Sequence, residues 1–395
     1  MFAVVVFFMA AGQSHSASVS KLVNQRLAYM SEVAAWKFNQ NQPIEDLERE
    51  RVVIERSIEE ALQFGITVQS SERLFSLQID AAKEIQRYWF KRWKGSRPPE
   101  ATLDLVTQIR PRLLDLGDAI VRGLAQGDIE PSQTISIRGL SRATAQALEK
   151  AIEQVGFYRD RLDQVVSSGV LRVGTTGDYA PFSLLVDASS SSPLFEGIDI
   201  DLAHDLAKSL DVRVVFIQTS WPTLMQDLAA GRFDIGMSGI SRSLERQRQA
   251  YFSVPYLEGG KTPLARCEVK DAYESLQAID QPGVRVIVNP GGTNQQFVAD
   301  NIRAASVTVH NDNRTIFEEI IQHRADVMIT DRIEVTLQTH RHPQLCSTMP
   351  GNLTYLEKGY LLPVDAGLKA YVDLWLELRL GGGEVASAIA RHTSS

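Results

Sequence analysis

The feature that most constrains this chain is a change of texture near residue 165. From Ser18 to about Arg161, apolar residues recur at spacings of three and four, with few β-branched runs and only scattered Gly. Leu22, Tyr29, Val33 and Trp36 form one such stripe, and Val52, Val53, Ile58 and Leu62 another, which predicts an all-α region. After Ser168, short β-rich strings alternate with amphipathic segments. Strands are predicted at Leu171–Thr175, Val212–Gln218, Ile235–Ser238, Arg285–Asn289, Ser306–Val309 and Val327–Thr330. Helices are predicted between them at Asp201–Leu210, Trp221–Ala230, Asn294–Ala304 and Thr315–His323. Strand–helix alternation requires parallel sheets covered by helices, and two such runs predict two α/β lobes around a cleft.

The 395 residues carry a net charge of −7, which argues against a partner bound through a basic surface, such as nucleic acid. The apolar run Phe2–Ala11 is shorter than the roughly 20 residues a membrane helix needs. Followed by Gly12–Ala17, it fits an export signal spanning 1–17; a buried N-terminal strand is the alternative. No Lys or Arg precedes the run, which leaves an internal start or an atypical signal open. Cys267 and Cys346 exclude a disulfide-dense scaffold and permit one bridge in an oxidising compartment.

Within the helical half, Pro43–Asp46 reads as a helix opening, Gly65–Thr67 as a stop and restart, and Arg97–Pro99 as a break before a helix from Ala101. Arg26 and Lys37 lie eleven residues apart on one predicted helix. At about 100° per residue both project to the side of the apolar stripe. Two cations directed into a bundle are costly without anions to meet them. Arg49 near the start of the next helix and Gln86 on the third extend a pattern suited to a small polyanion. The plain alternative is solvated or snorkelling side chains.

The strings LVNQRLAYMSEVAAWKFNQNQPIEDLERER (Leu22–Arg51), LFSLQIDAAKEIQRYWFKRWK (Leu74–Lys94) and IRPRLLDLGDAI (Ile109–Ile120) resemble the secreted, AroQ-type chorismate mutases. The resemblance covers most of residues 18–160 and implies a site inside one protomer's bundle. It implies that Arg26 and Lys37 contact chorismate's carboxylates and ether oxygen, that Arg49 binds a carboxylate, and that Gln86 faces the ether oxygen. Ala82 stands where the family often has Ser or Thr, so one substrate hydrogen bond is in doubt. A further arginine is expected from Ile109–Arg122, with Arg110 and Arg112 both open.

In the second half, Gly174–Phe182, Asp234–Ser241 with Arg246, and Asn289–Asn294 are turns rich in Gly, Ser and Thr at strand ends. They offer backbone N–H groups, hydroxyls and a guanidinium fork to a small carboxylic acid. These strings resemble the type II periplasmic amino-acid-binding proteins over roughly 166–395, with hinge crossovers near Glu258–Leu264 and Thr348–Tyr355. The resemblance places Tyr179 and Trp221 around the ligand, Ser238, Ser241, Arg246 and Thr293 at its carboxylate, and Asp331 at its α-amino group. GGKTPLARC (Gly259–Cys267), MITDRIE (Met328–Glu334) and HPQLC (His342–Cys346) resemble more specifically the cyclohexadienyl dehydratases. That makes Glu334 the expected general acid, with Lys261 and Arg246 as cationic partners of the substrate. Asp331 is close enough to raise the Glu334 pKa.

The expectation is thus a multidomain chain: signal 1–17, an all-α chorismate mutase-like bundle over 18–161, and a two-lobed type II α/β unit over 166–395. Lobe one is expected at 166–260 plus 355–395 and lobe two at 264–348. The expected substrates are chorismate, prephenate and arogenate, without metal or organic cofactor, nucleic acid, or membrane after signal cleavage; a homo-oligomer is left open. The alternatives are an amino-acid-binding protein of a transporter or sensor, and a mutase half serving only for oligomerisation. His310, His323, His340 and His342 lack metal-ligand spacing. Asp199 and Asp201 read as strand-end and cap residues, and Trp89, Phe90 and Trp93 as bundle core.

Overall fold

Capping side chains set the helix boundaries in the first half. The computed structural model describes residues 18–95, 103–130, 134–189 and 193–393. The expected signal, the break at Arg97–Pro99 and the helix start at Ala101 lie outside them. The chain divides into two units, Met1–Tyr158 and Arg159–Ser395.

In the first unit, α1 (Val19–Ala28) opens on Ser18, whose hydroxyl accepts from Lys21 N. The helical ladder breaks at Tyr29 before α2 (Met30–Asn39), so two short helices replace the single one predicted. Helix α3 (Leu47–Gln63) is capped by Asp46, which accepts from Arg49 N at 3.1 Å. Pro43 therefore lies ahead of the helix, because the Asp46 carboxylate satisfies one of the N–H groups that a helix start leaves unpaired. Gly65, at φ +73°, ends the segment, and Thr67 caps α4 (Val68–Trp93). A π-helical turn, Leu105–Ile109, leads into α5 (Arg110–Gln126), and α6 is Arg142–Glu153.

Helix α4 packs against α1, α2, α3 and α6. Val23, Leu27, Leu74, Phe75, Ile85, Ile120 and Leu148 form the core between them; each such burial contributes about 1.5–3 kcal/mol. Trp89 and Trp93 stack with centroids 5.4 Å apart, beside Phe38 and Phe90. Helix α3 differs, since Ala61 is its only fully buried residue. Its inner face, with Arg49 and Val53, walls a cavity instead of a core.

The second unit starts ahead of the predicted residue 166. The helix Arg161–Ser168 packs on Ala366–Gly382, and Arg161 N donates to Asp365 Oδ2 at 2.7 Å. One five-stranded sheet runs in the order Arg213–Gln218, Val170–Thr175, Ile235–Gly236, Leu361–Leu362, Tyr251–Phe252. Its first three strands are parallel. The second sheet runs Ser306–Val309, Arg285–Val288, Val327–Asp331, Lys261–Arg266, Leu345–Ser347. Its first three strands are again parallel and its last two pair antiparallel. An antiparallel ribbon, Leu257–Gly259 with Leu356–Lys358, carries the chain between the two lobes. In such sheets ligands bind beyond the carboxyl ends of parallel strands, which is where Thr175, Asn289 and Asp331 lie.

Cys267 and Cys346 are bridged. The bridge ties Leu345–Ser347 to the end of Lys261–Arg266 inside the second lobe, just past the first crossover and just before the second.

Candidate functional site

In the helical unit, Arg26, Lys37, Arg49 and Gln86 line one cavity of about 160 Å³. Arg110 joins them and Arg112 does not, which separates the two candidates on α5. Ala82 is also on the wall, and Gln86 Nε2 donates to the Ala82 carbonyl at 3.1 Å.

Arg26 is 8% exposed, and its guanidinium meets a neutral group, donating from Nη1 to Gln78 Oε1 at 3.2 Å. Its Nε has no partner, and neither does the buried Gln86 Oε1. Burial pulls the Arg26 pKa down to about 10, which leaves it cationic at neutral pH. Lys37 Nζ donates to Ile44 O at 2.7 Å; burial lowers its pKa, with Asp46 opposing and Arg110 adding to the fall. Lys83 on the same wall is matched by Glu50 at 3.1 Å. A buried cation facing unpaired polar atoms is costly by itself and complementary to a dianion.

In the two-lobed unit, Tyr179, Trp221, Ser241, Arg246, Thr293 and Asp331 line a cavity between the lobes. Its volume, about 20 Å³, holds roughly one water, so a ring diacid enters only as the lobes part. Tyr179 OH donates to Asp331 Oδ2 at 2.5 Å across the cleft, and Asn313 Nδ2 donates to Asp178 O at 3.0 Å. Trp221 Nε1 donates to Asp178 Oδ1 at 3.2 Å, and Arg246 Nη1 to Ser241 O at 3.2 Å. Burial lowers the Arg246 pKa and raises that of Asp178.

Three expected site residues stand behind this lining. Ser238 is fully buried; its hydroxyl accepts from Thr176 N at 3.1 Å, so it braces the first strand's turn instead of facing a ligand. Lys261 Nζ reaches Thr293 Oγ1 at 3.1 Å, Asn294 Oδ1, and Asp331 Oδ1 at 3.2 Å. Glu334 sits in the first turn of the helix Arg332–Arg341 and accepts from Thr330 Oγ1, which itself accepts from Asn294 Nδ2 at 3.0 Å. Asn294 belongs to the cavity wall, so Glu334 is two hydrogen bonds from the cleft.

The two carboxyls three residues apart are driven in opposite directions. Burial pushes Asp331 up, but Lys358, Lys261 and the Tyr179 hydroxyl outweigh it and hold Asp331 well below the usual carboxylate range. Burial pushes Glu334 up, the Thr330 hydroxyl opposes, and the Asp331 charge adds to the rise, to about 8. At neutral pH one is an anion and the other an acid with a proton to give.

The sequence reading missed Lys358 and Asp199. Lys358 is buried in the second ribbon strand and bonds Asp331 Oδ2 at 2.6 Å, Gly239 O at 2.6 Å and Ser241 Oγ at 3.1 Å. A lysine flanked by exposed-looking residues in a three-residue strand carries no periodic signal. Asp199 is no surface cap. It is fully buried, accepting from Gly239 N at 2.5 Å and Tyr256 OH at 3.0 Å, and burial raises its pKa to about 7. Asp201 is the half-buried partner of Arg391 and His392.

Residues 17–87 match the family Chorismate mutase type II, and residues 171–333 match Bacterial extracellular solute-binding proteins, family 3. A cyclohexadienyl dehydratase of Pseudomonas aeruginosa is 49% identical over 244 residues, covering 62% of this chain and 90% of that protein. The L-cystine-binding protein TcyJ of Escherichia coli is 27% identical, over 44% of this chain and 62% of its own length. Among solved structures, an ancestral amino-acid-binding protein described as a precursor of cyclohexadienyl dehydratase is 31% identical. It covers 59% of this chain and 99% of its own, with a TM-score of 0.54.

Proposed function

The chain belongs to the cyclohexadienyl dehydratase family, with a type II chorismate mutase domain ahead of that unit, and from this premise we propose that it performs two consecutive reactions. The helical site rearranges chorismate to prephenate. The cleft then converts prephenate to phenylpyruvate, and arogenate to phenylalanine.

The first reaction is pericyclic and needs neither nucleophile nor base. Arg26, Arg49 and Arg110 hold the two carboxylates so that the reactive chair is selected. Lys37 and the Gln86 amide, whose second N–H exchanges a weak contact with Met30 Sδ for the substrate, meet the charge that develops on the ether oxygen. Arg26, buried without an anion, is the strongest support for this half.

In the cleft, Arg246 and Thr293 receive one carboxylate of prephenate, and Lys261 balances the second charge. Glu334 gives its proton to the ring hydroxyl, which leaves as water. The bond to the ring carboxylate breaks, its electron pair completes the aromatic ring, and CO2 departs. Thr330 donates to Glu334 Oε2 and itself accepts from Asn294, so this pair fixes the carboxyl and leaves its other oxygen to hold the proton for a substrate that enters as the lobes part.

The observation that carries the reading is the buried Glu334 carboxyl, bonded by a hydroxyl and three residues from an Asp331 that two lysines hold, a setting that raises the Glu334 pKa and lowers that of Asp331. Simple capture of an amino acid has no use for such an acid. Purified protein given prephenate at neutral pH is expected to form phenylpyruvate, and Glu334→Gln to lose at least about a hundredfold in kcat, as removal of a general acid costs. Binding of prephenate without turnover by the unaltered protein would overturn the reading. The disulfide and the solute-binding fold support a periplasmic setting.

A further inference from the structure

The cations that line the helical cavity are held in two ways. Lys83 and Arg56 are met by carboxylates, Glu50 at 3.1 Å and Asp118 at 3.4 Å. Lys37 and Arg26 are met by neutral oxygens, the Ile44 carbonyl at 2.7 Å and Gln78 Oε1 at 3.2 Å. Gln78 is fully buried near the middle of α4 and is not part of the cavity wall, so it stands one layer behind Arg26. A guanidinium only donates, so the Gln78 amide must turn its oxygen to Arg26. Its Nε2 is thereby left buried without an acceptor among the described residues, a cost that an apolar side chain would avoid.

The bond to Gln78 takes Nη1, the terminal nitrogen on the Cδ side of the guanidinium. The edge that remains, Nε with Nη2, is a parallel pair of N–H donors that matches the two oxygens of a carboxylate. Arg26 Nε has no partner among the described residues. We propose that Gln78 is a positioning residue of the mutase site: its amide oxygen fixes the Arg26 guanidinium with the Nε–Nη2 edge presented as a fork to a substrate carboxylate, and its neutrality leaves the arginine's charge to that substrate. The inference rests on the mutase reading above and gives a role to a residue outside the cavity wall. A carboxylate in place of the amide would compete with the substrate for the cation. An apolar side chain would free the fork to turn, which a bidentate contact does not tolerate.

The test follows chorismate consumption by the full chain, as kcat and KM. Gln78→Glu, equal in length and charged, is expected to raise KM by about tenfold or more and to keep kcat within about threefold, because the lost interaction serves bound substrate and transition state alike. Gln78→Met, similar in length but without the amide acceptor, is expected to lower kcat/KM by about tenfold. Both should keep the parent's circular dichroism spectrum; a purely structural glutamine would leave KM unchanged in whatever fraction folds. In isotope-labelled unaltered protein, the Nε–H resonance that Arg26→Met removes is expected to move downfield when an unreactive ether dicarboxylate shaped like the reactive chair is added.

A folded Gln78→Glu protein with the parent's KM, or a folded Gln78→Met protein with the parent's kcat/KM, would overturn the inference. So would an Nε–H resonance that the dicarboxylate leaves in place, a result that needs no change at position 78. Failure of the unaltered protein to consume chorismate would instead strike the mutase reading, and this inference with it.

Discussion

Replacing Arg26 by Met exchanges catalysis for stability, and the magnitude follows from the cavity. At ~1.4 kcal/mol per tenfold change in proton affinity, the fall from the ordinary arginine value to about 10 means that burying the guanidinium costs about 3 kcal/mol. Met fills nearly the same volume without that cost. Against the gain stands Gln78 Oε1, which loses its donor from Arg26 Nη1, at ~1–3 kcal/mol. The balance is a helical unit as stable as the parent or up to about 2 kcal/mol more so, where loss of a buried hydrogen-bonded residue ordinarily destabilises by ~0.5–3 kcal/mol. Chorismate consumption should fall by at least about a hundredfold, because the dianion loses its buried partner. Denaturant titration followed by circular dichroism gives the first quantity and a continuous chorismate assay the second. A variant destabilised by more than ~2 kcal/mol with chorismate turnover intact would refute the reasoning, since Arg26 would then be a structural cation.

Further outcomes follow from the same geometry. With Glu334 raised to about 8, kcat/KM for prephenate is expected to hold at neutral pH and fall as pH rises through about 8, when the acid loses its proton; a flat profile to pH 10 would contradict its role. Thr330→Val, which cuts the link between Asn294 and Glu334, should lower kcat by roughly tenfold with little change in KM. Asp199 has a folded-state pKa of about 7 against an ordinary 3.8, so the folded state holds the proton more tightly. Its contribution is full below pH 4 and lost as pH rises through 7, so Asp199→Asn should exceed the parent in denaturation midpoint at pH 8 and converge with it near pH 4. The Cys267–Cys346 bridge closes a separation of 79 residues, and the double Ser variant should lose about 4 kcal/mol from the second unit; an unchanged midpoint would count against it.

How far the sequence alone reaches depends on how local the signal is. The strands near 171, 213, 285 and 327 were legible because their β-branched runs are bounded by turn residues, and they recur within a residue or two. The convergence of Arg26 and Lys37 was legible from helical period, although the break at Tyr29 was not, because no Pro or Gly marks it. Depth was the property that could not be read. Ser238, Lys261 and Glu334 match cleft motifs by position, yet each lies one layer behind the wall, where Thr176, Thr293 and Thr330 face them. Lys358 and Asp199 were missed for the same reason. Each is defined by long-range partners (Asp331 for one, Gly239 and Tyr256 for the other) that strand and helix periods do not encode.

The central claim is that the product of the helical site is the substrate of the cleft. Chorismate supplied as the sole substrate to the purified full chain tests it most directly, with phenylpyruvate as the readout. Phenylpyruvate should appear after a lag, vanish in Arg26→Met, and return in that variant when prephenate is supplied. Chorismate consumed without any phenylpyruvate, or phenylpyruvate formed from chorismate by Arg26→Met at the parent rate, would contradict the account.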